Sequence, residues 1–459
     1  MNSAVPKVLH EVLFKPMLDW VADAALAAGA GNVCVVAAEP DDAVAAHVRG
    51  VYGERCTLAF QGAPHGTGHA VMQAEKAVRE SGAEDVLVLC GDAPLVDAAS
   101  LQSAWEQHRR EGNAATVLTA ELEDPTGYGR ILREGSEVAG IVEERDASEV
   151  QKAVCEINSG VYWFRTQDLL EALGALTTRN AQGEYYLTDT VRILRGKERR
   201  VGAFRADARI VAGANDRRQL MRLGELARGI VFERLFEAGV TILDPAGVLI
   251  GPDVLLGRDT VVLPGTILRG RTVAGCGCVL GPNALLEDCV LGDNVTVNAS
   301  QARRSLLEAG VTLGPFSHLR PGTVLHEKAH VGDFVEIKNS EIGAGTKVAH
   351  LTYVGDSDVG EGVNFGCGVV TANYDGARKF RTVIGNGAFI GCNTNLVAPV
   401  KVGDGAWTAA GSTVTRDVPA GALAVARARE EILPGWAERR AAKQAAEKAA
   451  EAKSAKTEK

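Results

Sequence analysis

The sequence predicts two architectures in one chain: an open α/β sheet domain, followed by a long parallel β-solenoid. Two observations predict this. Short apolar runs alternate with helix-like stretches in the first half, and a hydrophobic beat of period six runs from Ile250 to about residue 420. At 459 residues the chain is long enough for two or three domains with ordinary cores.

In the first half, residues 33–37 and 86–89 are apolar runs of strand length, separated by helix-like stretches at 17–28 and 70–79. Strands alternating with helices give an open sheet of largely parallel strands. The run Val86-Leu-Val-Leu-Cys90 ends in Gly91-Asp92-Ala-Pro94, which puts a carboxylate at the C-terminal end of a buried strand. Ligands bind there in such sheets. Residues 216–238 have apolar positions at helical spacing with charges between them, so a helical arm is expected to link the two domains.

The beat itself is regular. Ile250, Leu256, Val262, Leu268, Ala274, Leu280 and Leu286 are six apart, and four places after each stand Val254, Thr260, Thr266, Thr272, Cys278, Ala284 and Val290. Gly follows the aliphatic at 251, 257, 275 and 281, and the beat returns in Ile342-Gly343, Val359-Gly360, Ile384-Gly385, Ile390-Gly391 and Val402-Gly403. A period of six fits neither a helix nor an isolated strand, so each hexad reads as one short strand and one turn of a solenoid. The aliphatic is expected to point inward and the glycine to turn the corner with φ > 0. After about residue 437 the chain is rich in Ala, Lys and Glu, with seven basic and four acidic residues, as in a solvated helix or frayed tail.

Composition narrows the function. A net charge of −9 with 23% charged residues argues against a nucleic-acid protein. The nine cysteines form no C-x-x-C pair, so reduced thiols are expected, and Cys276-x-Cys278 falls on the beat, where small core residues belong. There is no run of 18 apolar residues, and no basic stretch followed by an apolar one at the N-terminus. The expectation is a soluble cytoplasmic protein with no membrane partner.

Short motifs carry the chemistry. The first half contains Pro6-Lys-Val-Leu-His10, Gln61-Gly-Ala-Pro-His-Gly-Thr-Gly-His69, Gly91-Asp92, Asp124-Pro-Thr-Gly-Tyr-Gly-Arg130, Glu156-Ile-Asn-Ser-Gly160, Gln182-Gly-Glu-Tyr-Tyr186 and Asn215. Each alone is a turn, a cap or a loop. Together, in this order, they resemble the sugar-nucleotide pyrophosphorylases. Gly314-Pro-Phe-Ser-His-Leu-Arg-Pro-Gly322, Val331-Gly-Asp-Phe-Val-Glu-Ile-Lys338, His350-Leu-Thr-Tyr-Val-Gly-Asp356, Asn373-Tyr-Asp-Gly376 and Leu396-Val-Ala-Pro399 interrupt the hexads. With these, the chain from residue 2 to about 430 resembles the bifunctional N-acetylglucosamine-1-phosphate uridylyltransferase / glucosamine-1-phosphate N-acetyltransferase family.

The resemblance implies a Rossmann-like nucleotidyltransferase domain over 1–215, a helical linker over 216–240, a left-handed parallel β-helix with acetyltransferase activity over 241–428, and a C-terminal arm and tail over 429–459. It implies acetyl transfer from acetyl-CoA to glucosamine-1-phosphate, then uridylyl transfer from UTP to N-acetylglucosamine-1-phosphate with release of pyrophosphate. A homotrimer with Mg²⁺ is the family habit.

Acetyl transfer needs a base near neutral pKa, because a substrate ammonium must lose a proton before it attacks a thioester. A histidine packed on a coil is the plainer reading of His350, but its flanking motif and the downstream Asn373-Tyr374 favour the base. The substrate phosphate needs cations, and Arg320 and Lys338 match the family's sugar-phosphate positions. Tyr353, Asn364 and Asn373 match sugar-binding positions, with Asn373 and Tyr374 reaching toward the acetyl donor. Glu336, two residues from Lys338 on one strand face, is either a solvated carboxylate or a group that orients the base or Lys338. Ala410 and Arg427 match acetyl-CoA contacts. Cys367 stands where the family commonly has Ala, and Cys392 where it commonly has Ser, which puts a weaker thiol donor near the thioester.

In the first domain the protein must position and neutralise phosphate charge, usually with Mg²⁺. By resemblance Asp92 and Asn215 match the metal positions and Lys7 neutralises phosphate, against the plainer reading of an exposed lysine after a proline. Gln61, Gly66 and Thr67 read uracil, while Gly129, Glu143 and Asn158 hold the amino sugar. His65 and His69 lack a third ligand at useful spacing and read as loop residues.

The family opens with a strand and a loop of the type L-A-A-G-x-G-T-R-M, directly before the segment matching residues 2–10, and Met1 falls on the last letter of that motif. Either an internal Met was taken as the start, or the sheet lacks a central strand and UTP lacks its phosphate cradle. In the second case uridylyl transfer is expected to be severely weakened while acetyl transfer survives. Two readings from other classes compete. One is a trimeric zinc enzyme of the γ-carbonic-anhydrase type, drawing on His318, His326, His330 and His350; the other is a non-catalytic assembly subunit with an inert, scaffold-like N-terminal domain.

Overall fold

A computed structural model describes residues 1–457 of the chain, with side chains as far as residue 450. The chain divides into two compact units, Met1–Cys276 with Leu286–Asp288, and Gly277–Leu285 with Cys289 onward. The first unit takes in the helical arm and the first solenoid strands, which begin at Thr241–Ile242.

In the first unit, helix Met17–Ala27 is placed by its apolar faces. Val21 packs with Leu101, Leu118 and Trp163, Met17 with Leu223 and Ala227, and Leu18 and Ala22 with Val48 and Tyr52. Strand Val33–Ala37 pairs in parallel with Cys56–Phe60 as a two-stranded sheet. The larger sheet has six strands in the order Val201–Arg205, Ala115–Glu121, Glu156–Arg165, Arg130–Glu134, Glu137–Val142, with Asp85–Val88 also laid on Glu156–Arg165. This is a more mixed sheet than the alternating pattern suggested. Ala115–Glu121 and Val201–Arg205 are parallel, but Glu156–Arg165 runs antiparallel to both Asp85–Val88 and Ala115–Glu121, and the adjoining hairpin is antiparallel as well. Its ten residues are largely buried, so no polar alternation announced an antiparallel strand. The helix-like stretch at 70–79 is two short helices, Thr67–Gln73 and Glu75–Ser81.

Helix Arg217–Glu237 is capped by the Asp216 carboxylate, which accepts from the Gln219 N–H at 2.8 Å. Near its far end Arg234 donates to the carbonyls of Pro252 and Val254 at 2.7 and 3.0 Å. Lys15 bridges Asp23 and Asp253 at 2.6 and 2.8 Å. These bonds tie the arm and the first solenoid turns to the α/β body, which is why the compact unit extends past residue 240.

The second unit is a left-handed parallel β-helix. Strands of two to four residues stack in register as three parallel sheets, so Thr312–Leu313 lies on His330–Asp333, which lies on Lys347–His350. The beat is elastic: Val290 partners Leu306, sixteen residues on, His330 partners Lys347, seventeen on, and Asn364 partners Phe389, twenty-five on. The long turn extrudes the loop between Ala372 and Thr382. Leu291, Val297, Ala302, Leu307, Leu313 and Leu319 fill the core, whereas Val290 faces out at 50% exposure because the period drops to five after Leu286.

Of the glycines of the beat Gly281 has positive φ, +109°, and the others do not turn corners that way. Gly343, Gly360, Gly385, Gly391 and Gly403 lie outside the left-handed region, which is taken instead by corner residues such as Asn294, Lys328, Phe316, Phe334, Leu351 and Asn339. Their glycine is fixed by close approach: a Cβ on Gly343 would sit 2.4 Å from the backbone of Gly360 on the next coil. Gly343→Ala is therefore expected to destabilise the β-helix by about 1–3 kcal/mol, the cost of overpacking a tight contact. Gly345 has φ +66° but open space around it, so Gly345→Ala is expected to cost less, mainly through the strained conformation. Denaturant unfolding of both variants checks the order.

Helix Trp436–Thr457 forms most of the basic tail, and its described side chains are exposed; residues 458–459 lie outside the described residues. Among the described residues no helix is long and apolar enough to cross a membrane.

Candidate functional site

The first unit brings Lys7, Asp92 and Asn215 together. Lys7 sits on the turn Lys7–Leu9 behind Pro6, Asp92 follows strand Asp85–Val88, and Asn215 precedes the Asp216 cap, its N–H held by Gln219 at 2.7 Å. Gly213 passes so near the Asp92 carbonyl that a Cβ there would lie 2.9 Å away. The Lys7 ammonium donates to Asp92 Oδ2 and Asn215 Oδ1, each at 2.5 Å. Both oxygens thus converge on one cation. A carboxylate and an amide oxygen are the hard donors Mg²⁺ takes alongside water and phosphate, so the residues fit that ion.

Gly129, Glu143 and Asn158 form a second group. The Asn158 N–H donates to the Gly129 carbonyl at 2.9 Å, and a Cβ on Gly129 would lie 3.4 Å from Glu143 and 3.5 Å from Asn158. Burial pushes the Glu143 carboxyl above its ordinary range, although Thr188 donates to it at 3.1 Å. Cys90 lies within electrostatic reach of Asp92, Lys7 and Glu143, its thiol pushed up to about 11 by burial.

Gln61, Gly66 and Thr67 form the third group. The Gln61 amide donates to the Gly66 carbonyl at 3.2 Å and meets the His69 ring at 3.2 Å. Thr67 Oγ1 accepts from the Leu187 N–H at 3.1 Å, so its hydroxyl already holds the segment beyond Tyr185. Gly66 has φ +103° and lies against the Tyr185 backbone, where a Cβ would approach to 2.5 Å. His65 is a loop residue, as expected. His69 is not: it lies on helix Thr67–Gln73 and stacks on Tyr185 at 6.3 Å.

In the second unit one corner column carries several of the expected residues. Asp333 and His350 are register partners on adjacent coils. The backbone bonds Gly368 N–H to His350 O, Asn393 N–H to Cys367 O and Gly411 N–H to Cys392 O repeat the same step, which continues the column through Cys367 and Cys392 to Ala410. His350 Nδ1 meets Asp333 Oδ1 at 2.9 Å. The Asp333 carboxyl is held below its ordinary range, by its own backbone N–H first and then by the His350 ring. Glu336 does not contact His350 in any hydrogen bond or ion pair; it pairs with Arg320 at 2.9 Å. Of the two carboxylates, Asp333 is the one that meets the His350 ring, and Glu336 is the one that meets Arg320.

Lys338 shares the outer face of strand Glu336–Lys338 with Glu336. The Lys379 ammonium, then burial and Arg320, push Lys338 below the ordinary lysine range, so Lys379 and Arg320 lie within electrostatic reach of it. An anion of charge near −2 relieves that repulsion. Lys379 lies on the extruded loop, where Tyr374 and Lys379 form an antiparallel bridge. Sequence reasoning missed it, because loop length, not periodicity, brings it back.

The ring of Tyr353 lies over Gly355, next to the Asn373 amide. Asn373 is buried and donates to Asp356, which also accepts from Asn339 at 2.5 Å. Burial raises the Asp356 carboxyl, and the two amides outweigh it and hold it low. Asn364 opens strand Asn364–Phe365 and is half-buried. Tyr374 is exposed with its hydroxyl on Gly376 O at 2.5 Å, and Arg427 is exposed beyond strand Leu423–Ala424. Of the histidines weighed for zinc, His326 lies between Glu308 and Glu341 at 3.1 and 2.7 Å and His330 on Thr312 at 2.7 Å.

Comparison with known proteins follows this layout. Residues 1–209 match the nucleotidyl transferase family. "Bifunctional protein GlmU" of Thermoanaerobacter pseudethanolicus is 48% identical over 441 residues, 96% of this chain and 95% of that protein. The protein of the same name from Caldanaerobacter subterraneus subsp. tengcongensis is 47% identical over the same shares, and that of Heliobacterium modesticaldum is 48% identical over 434 residues, 94% of each chain. The likeness runs through both the sheet domain and the solenoid, which favours two activities over a solenoid transferase with an inert head. The chain belongs to the family of bifunctional GlmU proteins, which join acetyltransferase and uridylyltransferase activity in one polypeptide.

Proposed function

We propose that the second unit acetylates glucosamine-1-phosphate from acetyl-CoA and that the first unit then transfers a uridylyl group from UTP to the N-acetylglucosamine-1-phosphate so formed. The observation that carries the reading is the convergence of complementary groups in each unit: a histidine held by a carboxylate on the solenoid, and two oxygens shared by one ammonium in the sheet domain.

In the solenoid Arg320, Lys338 and Lys379 hold the sugar phosphate, Tyr353 and Asn364 the ring hydroxyls, and His350 takes the proton from the substrate nitrogen. Cys367, Asn373, Tyr374, Cys392, Ala410 and Arg427 face the acetyl donor. In the sheet domain Gln61, Gly66 and Thr67 read uracil; the Thr67 oxygen accepts from the Leu187 N–H, which leaves its O–H to donate. Gly129, Glu143 and Asn158 hold the acetylated sugar. Asp92 and Asn215 would hold Mg²⁺, which neutralises charge on the transferring phosphates. Lys7, released from those oxygens, is free to meet phosphate. The protein works in the cytoplasm as a homotrimer, a reading supported by the exposed column of Phe316, Phe334 and Leu351, the two rings stacked at 5.5 Å.

Pyrophosphate release from UTP and N-acetylglucosamine-1-phosphate, measured beside CoA release on one sample, tests this. Chelation with EDTA is expected to abolish the first and spare the second, and added Mg²⁺ to restore it. Pyrophosphate release that persists in EDTA would overturn the role given to Asp92 and Asn215.

A further inference from the structure

The His350 ring has two nitrogens, and only one of them can act as the base at a time. Asp333 Oδ1 lies 2.9 Å from Nδ1. An ionised carboxylate only accepts, so Nδ1 carries the hydrogen and the lone pair of neutral imidazole is left on Nε2. The pairing is set by the fold, since Asp333 and His350 are Cα partners on adjacent coils and the Leu351 N–H donates to the Asp333 carbonyl at 3.0 Å. The other carboxylate on the neighbouring strand, Glu336, is committed to Arg320. Both side chains thus hang from rigid strands and not from a loop.

We propose that Asp333 is a positioning residue for acetyl transfer, fixing His350 as the Nδ1–H tautomer with Nε2 as proton acceptor and stabilising the imidazolium that forms. The proposal rests on the reading of His350 as the base. In the reaction the substrate ammonium gives up two protons. One reaches His350 Nε2 and passes on to solvent, and the other ends on the departing sulfur as CoA thiol, while the N–C bond forms and the thioester C–S bond breaks. Asp333 touches no reacting atom; it acts through the ring, as the carboxylate of a Ser-His-Asp triad does.

The test uses the full chain with Asp333→Ala, Asp333→Asn and Asp333→Glu, read by CoA release. Asp333→Ala and Asp333→Asn are expected to lower kcat about ten- to a hundredfold, the usual loss when an orienting partner is removed, with KM for both substrates within about twofold. Asp333→Glu is expected to recover part of the loss. Imidazole ¹⁵N spectra, with His350 assigned by comparison with His350→Ala among the nine histidines, are expected to show the Nδ1–H form in the wild type and its loss in Asp333→Ala. Unchanged kcat in the Ala and Asn variants, or a rise in KM alone, would overturn the proposal. So would an Nε2–H tautomer in the wild-type spectrum, a readout that does not depend on any Asp333 variant folding. Full acetyl transfer by His350→Ala would instead sink the base reading itself, which keeps the two failures distinguishable.

Discussion

His350→Ala is expected to lower kcat for acetyl transfer by about 10²- to 10⁴-fold, the range lost with a general base, and to leave pyrophosphate release unchanged. The ring is 58% exposed at a corner and fills no part of the core, so its removal opens no cavity. The core beneath it is built by Val348 and Val354, which stay in place. The loss therefore belongs to chemistry and not to folding, and KM for glucosamine-1-phosphate is expected to change little if Arg320, Lys338 and Lys379 carry the phosphate as proposed. The residues proposed for uridylyl transfer all lie in the other compact unit. CoA release and pyrophosphate release from one preparation give the answer: acetyl transfer within tenfold of wild type would remove His350 from the mechanism.

The solenoid was legible because its period is imposed by geometry. Each buried aliphatic must meet the one on the next coil, and that requirement prints itself on the sequence as Ile342, Val359 and Ile384. The corners were not legible in the same way. Gly343 looks like a turn residue, but the constraint on it is the backbone of Gly360 one coil away, and some left-handed positions are held by Lys328, Phe334 and Leu351, which carry no glycine signal, while others fall on glycines outside the beat such as Gly345 and Gly362. Contacts between coils explain the other miss. Asp333 and His350 are seventeen residues apart, a spacing that has meaning only once the coil length between them is known. Glu336 attracted attention because it lies two residues from Lys338, yet its partner is Arg320, sixteen residues back. Lys379 is farther from Lys338 in sequence than any coil and returns through the extruded loop. In the sheet domain Asp92 at a strand end was legible from local pattern. The antiparallel strand Glu156–Arg165 was not, since long-range pairing and not local periodicity decides its direction.

Asp92→Ala is expected to lower pyrophosphate release roughly a hundredfold or more, as removal of a group preorganised for developing phosphate charge does, with CoA release unchanged. Lys7→Ala distinguishes two ways of losing that activity. In the wild type the Lys7 ammonium lies 2.5 Å from both Asp92 Oδ2 and Asn215 Oδ1, and so would compete with a divalent ion bound by the same oxygens as proposed. Removing the lysine deletes the competitor and a phosphate cation together; removing the carboxylate deletes a ligand. Asp92→Ala should therefore raise the Mg²⁺ concentration needed for half-maximal pyrophosphate release, while Lys7→Ala should lower it even as the maximal rate falls. Titration of both variants with Mg²⁺ reads the two shifts directly. If both move in the same direction, the ammonium and the metal do not share those oxygens, and the site for the ion lies elsewhere in the sheet domain.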